Sequence, residues 1–245
     1  MLILASDTSG PSVSVALWTD DHLLGAMTQN VGLTHSVTYL PLVESLLRHC
    51  NRVIADVDLF AVTVGPGSFT GIRIGISAVK AMAYAAKKPA IGVSTLAALA
   101  WPYRSCPDLL VCPMLDARNG RVFAGAWQEG DCVFAEENQL MTDFLAHIAA
   151  MADPAAVLPD GDAKRLIPRA ILLLGCPVPD PVWKSLPAGL IFRTAPVSNW
   201  LPQAAAVAEI AAMAAGQGAL MDPQNLQANY LSASAAERLQ KKRHV

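Results

Sequence analysis

The sequence predicts an α/β fold in two lobes, each built on a mixed sheet with helices. Three observations predict it. Residues 1–19 and 109–128 follow one plan: an apolar strand, an aspartate at its end (Asp7 or Asp116), a short turn, and an alternating partner strand. The apolar stretch 59–64 passes through a glycine-rich run, Gly65 to Gly75, into a small-residue stretch that reads as a helix. Val37, Leu40, Val43, Leu47 and Cys50 recur at steps of three and four, which is the stripe of an amphipathic helix.

Taken in order, Met1–Ala5 is an apolar strand ending at Ser6-Asp7-Thr8-Ser9-Gly10. Ser12–Trp18 alternates and pairs with it as a hairpin, and His22–Gln29 reads as a third strand. The amphipathic helix follows, with Thr34 or Ser36 able to cap its start. Pro41 should kink it unless the helix starts late. The 59–64 strand, the glycine turn and a helix over 70–87 come next, then a short strand at Ala90–Val93 and a helix from Thr95 to Trp101. Residues 102–108 read as the lobe boundary. After it come the strand Leu109–Leu115, the turn 116–120 and the strand Arg121–Gln128. Residues 153–200 are proline-rich and parse poorly apart from a strand at Ile171–Leu174. Gln203–Ala215 reads as a helix. The expected lobes are 1–104, with 216–245 available to complete it, and 105–215. The repeated strand–Asp–turn–strand plan is an internal repeat of architecture.

The chain has 245 residues, 53% hydrophobic and 16% charged, which excludes a disordered protein. A mean hydropathy of +0.36 raises the membrane question, but the apolar runs fall short of the roughly 20 residues a spanning helix needs. Residues 1–5 are too short for a signal-peptide core, so a cytoplasmic location is expected. Net charge is −2, which is no nucleic-acid footprint. The basic tail Lys241-Lys242-Arg243-His244 reads as a solvated end, with an RNA contact as the rival reading. The five cysteines lack C-x-x-C spacing and read as free thiols in a reducing compartment.

The run Gly65-Pro66-Gly67-Ser68-Phe69-Thr70-Gly71-Ile72-Arg73-Ile74-Gly75 is the most specific motif. A glycine-rich strand-to-helix turn suits an anion or a closely packed neighbour. It is not a P-loop, since no lysine follows Gly71. It is not the dinucleotide fingerprint either, since Gly71 comes one residue late.

The two lobes, each starting strand–Asp–turn–strand, resemble the actin, sugar-kinase and Hsp70-type ATPase superfamily, whose fold is ribonuclease H-like. Five pieces come in the order and spacing of one family within it. They are Ile3-Leu4-Ala5-Ser6-Asp7-Thr8-Ser9, His35-Ser36, the glycine run, Ile91-Gly92-Val93-Ser94-Thr95-Leu96 and Asp116-Ala117-Arg118. The chain thus resembles the TsaB (YeaZ) family, glycoprotease-like proteins of bacterial tRNA threonylcarbamoyladenosine biosynthesis. The resemblance is close over 1–128, loose over 129–220 and faint at Asn229-Tyr230-Leu231. Ser232 stands where the family has an arginine.

A phosphoryl-transfer site of this fold needs open hairpin turns, a carboxylate at the phosphates and a glycine pair that admits the adenosine. Asp7, Thr8 and Ser9 offer a carboxylate, hydroxyls and backbone donors for a metal-bound water or a phosphate. The rival reading is a turn aspartate satisfying nearby N–H groups. Active members of the superfamily place glycine after the second aspartate; here Ala117 and Arg118 follow Asp116 and intrude where the nucleotide would sit. Arg118 is left to pair with Asp116 or with a partner's carboxylate. Trp200 and Leu201 fill the place of the adenosine glycines. Where the related TsaD carries a His-x-x-x-His metal pair, this chain has Thr95 and Leu99, so no metal is expected. Ser68 and Thr70 lie at a helix start but lack the G-x-S-x-G context of a nucleophile.

The resemblance implies a non-catalytic subunit that heterodimerises with TsaD. With the ATPase TsaE, the pair transfers a threonylcarbamoyl group to N6 of the adenosine beside the anticodon in ANN-decoding tRNAs. No catalytic residue is assigned. Asp7, Thr8, Ser9, Gly67, Ser68, Thr70, Arg73, Asp116 and Arg118 are candidates for a vestigial nucleotide site or a subunit junction. His35, Leu40, Val43, Leu47, Gly71, Ile74, Gly75, Ala78 and Met82 are candidates for the partner interface, with packing inside one lobe as the alternative. No cofactor is expected to bind productively to this chain alone; ATP or ADP belongs to the complex, and tRNA is met indirectly. Alone, the same surface allows a homodimer. The alternatives are an autonomous ATPase or kinase of this fold, and a peptidase acting on TsaD.

Overall fold

Three parallel strands extended by an antiparallel hairpin form the sheet in each half of the chain. The computed structural model describes residues 1–32, 34–153 and 168–231. The chain divides into two compact units, one of residues 1–95 with 203 onward and one of residues 96–202.

In the first unit β1 (Leu2–Asp7) is central, with β2 (Val13–Thr19), β3 (His22–Gln29), β4 (Leu59–Gly65) and β5 (Ala90–Ser94) around it in the order β3-β2-β1-β4-β5. The hairpin strands pair antiparallel, while β1–β4 and β4–β5 pair parallel. Alternation then decides the faces. Leu2, Leu4, Val15, Leu17, Phe60 and Val62 join a core with helices α1 (His35–His49) and α2 (Phe69–Ala86). Pro41 lies inside α1 on its solvent side. Thr34 is the N-cap residue of α1, without a side-chain cap bond.

In the second unit β6 (Leu109–Asp116) takes the central place, with β7 (Arg121–Gln128), β8 (Asp131–Leu140), β9 (Ala170–Leu174) and β10 (Phe192–Thr194) in the order β10-β9-β6-β7-β8. Pairing directions match those of the first sheet strand for strand. The internal repeat expected from the strand–Asp–turn–strand plan is therefore a repeat of whole-sheet topology. Leu110, Cys112 and Met114 pack with Phe144, Leu145 and Ile148 of α4 (Met141–Ala152). Leu96 and Leu99 of α3 (Thr95–Ala100) join Val111, Trp127 and Leu174 in a second cluster. The short α5 (Asp180–Lys184) precedes β10.

The helix near the C-terminus, α6 (Ala204–Gly216), packs on β1 and β2 of the first sheet. The sequence-based division put it in the second lobe, with the boundary at 104/105; the units divide after Thr95 instead. Two local features attach α6 to the first sheet. The Ala204 N–H donates to Ser14 Oγ at 3.0 Å, and the buried alanines of α6 suit a sheet carrying Ala5, Ala16 and Ala61. Among the described residues no helix is long and apolar enough to cross a membrane, and the five cysteines are free thiols.

Candidate functional site

The glycine run seats the β1–β2 turn on the start of α2. A Cβ at Gly71 would stand 2.1 Å from the Thr8 carbonyl oxygen, and one at Gly75 2.3 Å from Thr8 Oγ1. At Gly67, with φ of +152°, it would stand 2.4 Å from the Ser9 carbonyl. Hydrogen bonds lock the seat. The Ser68 N–H donates to the Ser9 carbonyl at 2.7 Å, and the Thr8 hydroxyl donates to the Gly71 carbonyl at 2.8 Å. Ser68 caps the helix, its Oγ accepting the Gly71 N–H at 3.2 Å. Of the two readings of the run, anion cradle or close packing, the geometry is close packing: the neighbouring backbone is the 7–9 turn of the same unit. Thr70 lies exposed in the first turn of α2.

Asp7 is wholly buried beneath this turn. Its Oδ1 accepts from the Ser9 hydroxyl at 2.6 Å, the Thr63 hydroxyl at 2.7 Å and the Ser9 N–H at 3.3 Å. That is the turn-aspartate reading. Its Oδ2 has no hydrogen-bond partner among the described residues. Burial lifts the Asp7 carboxyl above the ordinary carboxylate range, against the pull of Ser9, Thr63 and the nearby His35. His35 is turned inward, its Nε2 at 2.8 Å from the Gly10 carbonyl.

Asp116 and Arg118 occupy the corresponding turn of the second unit. Asp116 is exposed, and its Oδ1 accepts the Arg118 backbone N–H at 2.8 Å. The expected contact between these residues therefore runs through the Arg118 backbone and not its guanidinium. Arg118, Asn119 and Gly120 all have positive φ, at 68°, 55° and 72°. Trp200 packs against the cluster of Leu96 and Leu174 and donates from Nε1 to the Ala195 carbonyl at 2.9 Å.

The partner-surface candidates separate into two groups. Val43 and Leu47 are buried in the first core, as are Tyr39, Leu42 and Leu46. The inward stripe of α1 thus runs through 39, 42, 43, 46 and 47, and Val37 and Leu40 stand 62% and 53% exposed. Gly71 and Gly75 face Thr8, not outward. These placements correct the expectation that Val43, Leu47, Gly71, Gly75 and the inward-turned His35 serve an interface. Leu40 of α1 remains, with Ile74, Ala78 and Met82 of α2, which are half-buried beside the exposed Ala81 and Ala85.

Arg73 is held in place. Its guanidinium lies 3.9 Å above the Phe69 ring, its Nε donates to the Tyr230 hydroxyl at 2.9 Å, and Phe69 and Tyr230 stack with centroids 4.9 Å apart. Sequence reasoning missed Thr63, Phe69 and Tyr230 as supporting residues. A threonine in an otherwise apolar strand beside the register of Asp7 was the available signal for Thr63. For Tyr230 the only signal was the faint Asn229-Tyr230-Leu231 match, which did not say what it packs on; its place depends on the Asn229 N–H donating to the Val64 carbonyl at 2.7 Å. Among the described residues no group of three or more His, Cys, Asp or Glu side chains is placed to hold a metal ion. Ser232 and the basic tail at 241–244 lie outside the described residues.

Comparison with known proteins adds a family. The family model described as "TsaD: tRNA N6-adenosine threonylcarbamoyltransferase" matches residues 25–159. The tRNA threonylcarbamoyladenosine biosynthesis protein TsaB of Bacillus subtilis (strain 168) is 34% identical over 162 residues, covering 64% of this chain and 70% of that protein. The Escherichia coli (strain K12) protein of the same name is 37% identical over 132 residues, 54% of this chain and 57% of that protein. Among solved structures, YeaZ from Pseudomonas aeruginosa superposes with a TM-score of 0.69 at 27% identity, covering 94% of this chain and 99% of that one.

Proposed function

The chain belongs to the TsaB family of tRNA threonylcarbamoyladenosine biosynthesis proteins, and from that premise we propose that it is a non-catalytic accessory subunit in making this modified adenosine. It heterodimerises with a TsaD-type transferase in the cytoplasm. With a TsaE-type ATPase, the pair places the threonylcarbamoyl group on N6 of the adenosine beside the anticodon of ANN-decoding tRNAs.

One observation carries the reading: the place where a strand–glycine–helix turn would cradle a phosphate is filled by Thr8 and Ser9 of the same unit. Backbone donors that a nucleotide would need are spent internally, as at Ser68. In the second turn Asp116 is capped by its own loop. The exposed apolar residues Val37, Leu40, Ala81 and Ala85, with half-buried Ile74, support docking through α1 and α2. A helix-pair interface of standard size buries about 1,200–2,000 Å², and one guanidinium at its centre removes it.

Co-purification with the TsaD-type subunit tests this. Wild-type chain is expected to co-elute, and Ala81→Arg and Leu40→Arg chains to elute alone while still folded by circular dichroism. Undiminished pairing by both variants refutes docking through this face.

A further inference from the structure

Between Asp58 and Asp108 the sequence holds no acidic residue and five basic ones: Arg73, Lys80, Lys87, Lys88 and Arg104. Lys88 pairs with Asp58 at 2.9 Å. Three of the others, Arg73, Lys80 and Lys87, fall seven residues apart, so they share one flank of α2 and its C-cap, with about 10.5 Å of helix rise between neighbours. None of the three forms an ion pair among the described residues.

The row is pre-ordered by the segment after α6. Arg73 Nε donates to the Tyr230 hydroxyl, and Lys80 Nζ donates to the Gln224 carbonyl at 3.0 Å. Arg73 and Lys80 thus have fixed directions, while neither has an ion-pair partner among the described residues. Aromatic faces accompany the row. Phe69 and Tyr230 stack around Arg73, and Tyr84, 67% exposed, stands between Lys80 and Lys87. At the Lys87 end Tyr84, Lys87, Pro89, Met221 and Pro223 line a cleft of about 490 Å³, within the range that takes a small ligand or one nucleobase. The carboxylate in that lining, Asp222, accepts the Gln224 N–H at 2.8 Å.

We propose that this flank of α2 is a direct contact for single-stranded RNA, Arg73, Lys80 and Lys87 meeting backbone phosphates along one strand and the cleft beside Tyr84 receiving a base. Cations in a row with interleaved aromatics fit a nucleic-acid strand better than an acidic protein surface, because bases stack on the rings while phosphates meet the charges. The inference rests on the functional reading above for the identity of the RNA, the tRNA being modified. It changes that reading in one respect: this chain touches the tRNA itself.

Fluorescence anisotropy of a labelled ANN-decoding tRNA transcript tests it, using the purified complex of this chain with its TsaD-type partner. Against wild type, the Arg73→Ala/Lys80→Ala/Lys87→Ala complex is expected to bind at least about tenfold more weakly. Its log affinity against log salt, between about 50 and 200 mM, should be shallower by about two units. Lys80→Glu/Lys87→Glu, which leaves the Arg73 clamp intact, should lose affinity as well. Unchanged affinity and slope in both variants overturn the proposal. So does loss of the protein partner in place of the RNA, which would give the row to an acidic protein surface. If even wild-type chain fails to pair, the functional reading fails, and the same titration on the chain alone still decides the RNA contact.

Discussion

Alanine at Gly75 should destabilise the protein, and removing the Thr8 side chain should rescue it. A Cβ at Gly75 stands 2.3 Å from Thr8 Oγ1, 3.2 Å from Val62 Cγ2 and 3.5 Å from Thr8 Cβ, so the hydroxyl is the main obstruction and Val62 has only to give by a few tenths of an ångström. Alanine in a helix interior gains about 1 kcal/mol over glycine. Overpacking of this kind costs about 3 kcal/mol at the upper end of its usual range. Gly75→Ala alone should therefore lose about 2 kcal/mol. Thr8→Ala alone forfeits the 2.8 Å bond to the Gly71 carbonyl, about 1 kcal/mol. In the double variant the main clash is gone, the helix gain remains and only the 3.2 Å approach to Val62 Cγ2 is left, so stability returns to near wild type with a coupling of up to about 3 kcal/mol. Gly71→Ala is the control: its Cβ meets the Thr8 backbone carbonyl at 2.1 Å, which no substitution at residue 8 removes. Urea unfolding followed by circular dichroism reads all four variants. Additivity of Gly75→Ala and Thr8→Ala within about 0.5 kcal/mol would refute the close seating of the turn on α2.

The buried Leu47 and exposed Leu40 on α1 give a contrast. Leu47→Ala should cost about 2–5 kcal/mol and Leu40→Ala about 0.5 or less, read as shifts in thermal midpoint; equal shifts would put the inward stripe elsewhere. The Asp7 carboxyl titrates above its ordinary value of 3.8, so the folded state binds the proton more tightly than the unfolded one. Its contribution is present at low pH and is lost as pH rises from that value through the folded one. Asp7→Asn should remove this falling limb, and a difference in urea midpoint between Asn and Asp chains that stays flat over the acid range would contradict it. Arg118 holds a φ of 68°, so Arg118→Gly should stabilise by about 1 kcal/mol; destabilisation would show that its side chain carries a contact.

The legible parts of the fold were those with local signals. The hairpin alternation in 12–29, the strand at 59–64 and the turn at 116–120 sit within a residue or two of the observed elements. β8, α4 and β10 were not anticipated. Their residues have no glycine punctuation as strong as the 65–75 run, and β10 spans only Phe192–Thr194. The α1 stripe was misphased because both candidate phases share Val43 and Leu47; Tyr39, Leu42 and Leu46, not Val37 and Leu40, complete the buried one. At the candidate site, the run of glycines announced a close approach but not by what. The answer depends on Thr8, sixty-odd residues away in sequence, through a contact that β1–β4 pairing creates. Likewise α6 was assigned by its position in the chain, whereas the Ser14–Ala204 hydrogen bond ties it to the first sheet.

Threonylcarbamoylation of an ANN-decoding tRNA, reconstituted from TsaD-type and TsaE-type subunits, puts the docking account to the most direct trial. Product should form only when wild-type chain is added. It should be absent with the chain by itself and should drop to the level of omission with Ala81→Arg. Modified adenosine made by the chain unaided, or full activity with the charged variant, would contradict the account.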